Sequence, residues 1–60
     1  MKCSELLRLL KRDGWYEVRQ TGSHMIMEHP KKEGAIVFPN HGSKEVGKGL
    51  EKTIRKQAGL

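Results

Sequence analysis

Trp15-Tyr16-Glu17-Val18-Arg19-Gln20-Thr21-Gly22-Ser23-His24-Met25-Ile26-Met27-Glu28-His29-Pro30 is the stretch on which the architecture turns. Residues 15–20 are rich in aromatic and β-branched side chains, and Thr21-Gly22 then supplies a turn signal. From Ser23 to His29, Met25 and Met27 alternate with His24, Ile26 and Glu28. Side chains on a strand point to opposite faces in turn, so the pattern predicts two antiparallel strands, at 15–20 and 23–29. With the methionines turned inward, His24 lies on the other face, open to solvent. Pro30 ends the second strand, Lys31–Gly34 reads as a polar turn, and Ala35–Phe38 reads as a third strand closed by Pro39.

On the N-terminal side, Leu6, Leu7, Leu9 and Leu10 recur at helical spacing, with Glu5, Arg8, Lys11 and Arg12 opposite them. Ser4 is the expected cap, Gly14 the expected stop, and the helix is placed at 4–13. On the C-terminal side, Val46, Leu50, Ile54 and Ala58 form an apolar row at spacings of four, with Ser43 as its expected cap. Gly47 and Gly49 weaken the first turn, each by about 1 kcal/mol against alanine, so regular helix is expected from 49 to 57. The result is an α+β fold of order α-β-β-β-α. A three-stranded antiparallel sheet carries both helices on one face, covered by Leu6, Leu10, Val46, Leu50 and Ile54.

The chain has 60 residues, 12 Lys and Arg against 7 Asp and Glu, a net charge of +5, and 35% hydrophobic positions. This length predicts one domain over 1–60 and excludes a large enzyme with a deep cavity and a separate cofactor domain. The longest apolar stretch, 35–38, is far short of the roughly 20 residues of a membrane span, and the first ten residues are too charged for a signal peptide. A cytoplasmic protein without membrane contact is expected. Cys3 is the single cysteine, so no internal disulfide forms, and no Cys/His pattern builds a zinc site. No metal and no cofactor are expected.

The positive balance favours a polyanion as partner, although basic residues also serve solubility alone. On the closing helix Lys44, Lys48, Lys52 and Arg55 are expected along one stripe, opposite the apolar row. Trp15 offers a surface for base stacking but suits a core better.

Several short motifs recur in order along the chain: Ser4-Glu5-Leu6-Leu7, Gly14-Trp15, Gly22-Ser23-His24, His29-Pro30, Pro39-Asn40-His41-Gly42 and Lys56-Gln57-Ala58-Gly59-Leu60. Together they resemble the HicA toxin family, nearly end to end. The resemblance implies a fold similar to double-stranded RNA-binding domains. It also implies a bacterial toxin that cleaves mRNA, arrests translation and growth, and is neutralised by a HicB-type antitoxin. It places the catalytic histidine on His24. Taken alone, His24 is better explained as an ordinary exposed strand histidine.

Imidazole chemistry suits that role. With an unperturbed pKa of about 6.5, imidazole gives or takes a proton near neutral pH without a metal. RNA supplies its own nucleophile, the ribose 2′-OH, so no deep cavity is required. Gly22 and Ser23 are expected to approach a phosphate, and His41 to contact RNA beside Lys44, Lys48, Lys52 and Arg55. His29 reads as structural or neutral. Glu45 stands where the double-stranded RNA-binding domains usually carry a lysine, and Thr21-Gly22 is too short for their minor-groove loop. A single-stranded or locally unpaired mRNA is therefore the expected substrate. The other reading is a non-catalytic RNA-binding domain on the same scaffold. A DNA-reading module lacks its helix-turn-helix pair.

Overall fold

The computed structural model describes all 60 residues. Helix α1 spans Cys3–Asp13, strands β1, β2 and β3 span Tyr16–Thr21, His24–His29 and Lys32–Pro39, and helix α2 spans Lys48–Ala58. The strands form one antiparallel sheet in the order β1-β2-β3. Cys3, Leu6 and Leu10 of α1 and Ile54 and Ala58 of α2 share one core with Met25, Met27, Ile36 and Phe38 of the sheet. Both helices therefore cover the same face, as the alternation in β2 requires.

Several local expectations are corrected. Ser4 does not cap α1; Lys2 is its N-cap, and the Lys2 N–H donates to the Glu5 carboxylate at 2.9 Å. The turn after β2 is only Pro30-Lys31, and β3 begins at Lys32, paired with His29. The three residues that follow Lys32 are absorbed by a bulge, where β3 runs from Lys32 to Ile36 against His29 to Met27.

Nor does Ser43 cap α2. The N-cap is Gly47, whose backbone is extended, and Val46 lies ahead of the helix. Its N–H donates to Met1 O at 3.0 Å, and Glu45 bridges to Lys2. That pairing ties Glu45 and Val46 to the N-terminus ahead of the helix, so the helix does not start earlier, and Lys44 lies off it. Val46 is nonetheless buried. It fills the core at this end, and the first turn of α2 stands outside it. Leu50, expected to face the sheet, is 45% exposed.

Strand β1 is exposed along its whole length, with Val18 as an extra residue opposite β2. Only β2 and β3 carry the core. Trp15, just before β1, turns inward to 2% exposure and meets the His29 ring edge-on at 5.3 Å. The chain's one core indole is thus removed from any stacking role.

The far end of the molecule is tied by Lys32. Its ammonium donates to the Asp13 carboxylate at 2.6 Å and to Ala58 O at 2.7 Å, joining the ends of α1 and α2 to the start of β3. The Lys32 hydrogen bond holds the Asp13 carboxyl below the usual carboxylate range. A depressed carboxyl stabilises the fold above its unfolded pKa, about 3.9, and that contribution is lost as pH falls through the folded value. The thermal midpoint is therefore expected to fall with acidification in this window. In Lys32→Met, which removes the donor, the same decline should be shallower; parallel curves for the two proteins would contradict the link.

Candidate active site

His24 is the first residue of β2, directly after the two-residue turn Gly22-Ser23. Its register partners are Thr21 on β1 and Pro39 on β3. Because Met25 and Met27 point into the core, His24 shares the helix-free face with Ile26 and Glu28. The imidazole is exposed and makes no hydrogen bond or ion pair within the chain. It is free to meet an external proton donor or acceptor.

The other two histidines differ from each other. His41 is exposed in the corner after β3, where its N–H donates to Pro39 O at 3.1 Å and its carbonyl accepts from Lys44 N–H at 3.2 Å. His29 is packed away, with its side chain 7% exposed. Nδ1 accepts the Lys31 N–H at 3.0 Å, so in the neutral ring the proton sits on Nε2, which donates to Asp13 O at 2.8 Å. Both ring nitrogens of His29 are thus committed to the fold.

The loop between β3 and α2 folds against the start of α1. Ser4 N–H donates to Gly42 O and Cys3 N–H to Lys44 O, both at 2.9 Å. The beginnings of both helices, the Gly22-Ser23 turn, His24, His41, Lys44 and Lys48 consequently lie at one end of the molecule. The other positions expected to contact RNA move away from it. Along α2, Arg55 is about 10 Å of helix rise beyond Lys48. Arg55 is also half-buried, and its Nε donates to Glu51 at 3.0 Å, so its charge is partly compensated. Lys44, Lys48 and Lys52 are exposed with no carboxylate partner.

Sequence reading passed over Lys56. It is exposed and lines one open concavity with Lys48, Lys52, Arg55, Glu51 and Leu60. Its position four residues after Lys52 was the available signal. Charge is segregated between the layers as well. From Tyr16 to Pro39 the three cations Arg19, Lys31 and Lys32 are matched by Glu17, Glu28 and Glu33, so the net +5 belongs to the helices and their flanks. No concavity of the surface encloses His24. No three His, Cys, Asp or Glu side chains converge on a point that would hold a metal ion. No helix is long and apolar enough to cross a membrane.

This arrangement has counterparts among known proteins. The family model described as HicA toxin of bacterial toxin-antitoxin matches residues 3–60. The chain is similar to a probable mRNA interferase HicA of Pseudomonas fluorescens (strain Pf0-1), with 47% identity over 60 residues, which is all of this chain and 97% of that protein. It is similar in structure to a chain of a toxin-antitoxin complex from Streptococcus pneumoniae, with a TM-score of 0.81 and 39% identity. That match covers 100% of this chain and 98% of the other.

Proposed function

This chain belongs to the HicA toxin family, and we propose that it is an endoribonuclease toxin of a toxin–antitoxin system, cleaving mRNA as a single domain over residues 1–60. The observation that supports this most is the exposed, unpartnered His24 imidazole at the end of the molecule where Lys44 and Lys48 also stand. In this reading His24 transfers a proton to or from the reacting ribose and phosphate. The 2′-oxygen loses its proton and bonds to phosphorus, the bond from phosphorus to the 5′-oxygen breaks, and that oxygen takes up a proton. Lys44 and Lys48 stabilise the additional negative charge, while Lys52, Lys56 and Arg55 hold the chain farther along. Gly22, Ser23 and His41 frame the scissile phosphate. The proposed regulator is a HicB-type antitoxin with an acidic face, which would oppose the same cations and cover His24.

Attack by the 2′-OH requires products with a 2′,3′-cyclic phosphate and a 5′-hydroxyl. Incubating the purified chain with single-stranded RNA is expected to yield these ends at a rate that a chelator does not lower. Retention of RNA with no strand scission would instead favour a non-catalytic RNA-binding domain. The lack of any group that orients the His24 ring within the chain is consistent with that second reading.

The cations make a separate expectation. Each phosphate contact on a single strand contributes about 0.7 to the slope of log affinity against log salt. Lys48→Gln with Lys52→Gln is therefore expected to flatten the slope by roughly 1.4, whereas Lys31→Gln, in the turn at the opposite end of β2, should leave it unchanged. Equal slopes for the double variant and the parent would place the RNA elsewhere.

A further inference from the structure

We propose that Gln20, with Asn40 behind it, is a positioning residue for His24. The inference rests on the reading of His24 as the proton-transfer group. Because the His24 ring has no partner of its own, its placement depends on the backbone of the turn that precedes it. That turn is two residues long, and both of its carbonyls are held from outside. Gln20 Nε2 donates to Gly22 O at 2.9 Å, and Asn40 N–H donates to Ser23 O at 2.7 Å. The circuit closes through the side chains, since Asn40 Nδ2 lies 3.5 Å from Gln20 Oε1. The Gln20 amide therefore has its donor on the turn before His24 and its acceptor toward the residue before His41. One ring of hydrogen bonds fixes the hairpin tip to the corner after β3.

None of these groups can do acid or base chemistry at neutral pH, and Gln20 is exposed, so the ring is a minor contributor to folding. Its effect is on aim. Loss of position by about 1 Å can cost a reaction on the order of a hundredfold, and loosening one side of a turn should fall short of that. Gln20→Leu keeps much of the bulk of the side chain, which ends one atom shorter, and removes both of its hydrogen bonds.

The test is steady-state cleavage of a single-stranded RNA oligonucleotide by the full chain, with thermal unfolding and imidazole NMR on the same samples. Gln20→Leu is expected to lower kcat about tenfold at unchanged KM and unchanged thermal midpoint. The His24 ring resonances should shift or broaden while those of buried His29 stay in place. Asn40→Ala keeps the backbone donor to Ser23 and should lose less. An unchanged kcat in Gln20→Leu, or a loss carried by KM alone, would overturn the assignment. A His24→Ala control separates this from the parent reading: if it cleaves like the wild type, His24 is not the reacting group and nothing remains for Gln20 to position.

Discussion

Replacing His24 by alanine is expected to lower RNA cleavage by roughly 10²–10⁴-fold, the usual contribution of one positioned acid or base. The fold should be untouched, because the ring is exposed and bonds to nothing in the chain. Affinity for RNA should also persist, since Lys44, Lys48, Lys52 and Lys56 remain in place and carry the salt-sensitive part of binding. Three readouts on one preparation decide the matter: initial rate on a labelled single strand, filter binding at fixed salt, and the thermal midpoint. A drop in rate alone is the signature of lost proton transfer. His41→Ala offers the useful contrast. The corner holding it is tied by its own backbone, so its removal should weaken binding and spare most of the rate. If highly purified His24→Ala protein cleaves at the wild-type rate, another group does the chemistry.

The reach of sequence reasoning here followed the range of the interactions involved. Periodicity is local, and it located α1, the inward methionines of β2 and the outward His24, because those depend on residues two to four positions apart. The start of α2 depends on Lys2 and Met1 pairing with Glu45 and Val46, across more than forty residues. No local rule contains that, and periodicity alone runs the helix back through Val46 and turns Leu50 toward the core. The Lys32 clamp was hidden for the same reason. In composition Lys31–Gly34 looks like a turn, and neither the pairing of Lys32 with His29 nor the approach of Asp13 and Ala58 to its ammonium is visible there. The outward placement of His24 is legible in the alternation of β2. The ring of hydrogen bonds behind it joins residues twenty apart and had no signal beyond the turn chemistry of Gly22 and the Pro39-Asn40 corner.

Gly14→Ala is expected to be the most damaging change of a single methyl group, at about 2–5 kcal/mol, the sum of backbone strain and a broken, partly buried hydrogen bond. Gly14 ends α1 with φ at +117°, a region that L-residues avoid. A Cβ built there stands 2.7 Å from His29 Nε2. The imidazole has little room to retreat. Nε2 donates to Asp13 O, Nδ1 accepts the Lys31 N–H, and Trp15 packs edge-on to the ring. Moving it breaks at least one of these bonds and loosens the only indole in the core. A domain of this size has a total stability of roughly 3–9 kcal/mol, so the variant should lose a large share of it. Gly42→Ala provides the control. Its φ is also positive, at +63°, but a Cβ there meets nothing within 4 Å, and the cost should stay near 1 kcal/mol. Chemical denaturation of both variants measures the difference. Equal losses would mean that the His29 contact costs nothing, whereas a larger loss at Gly14 is the combined mark of that contact and of a backbone angle farther from the left-handed region that L-residues tolerate.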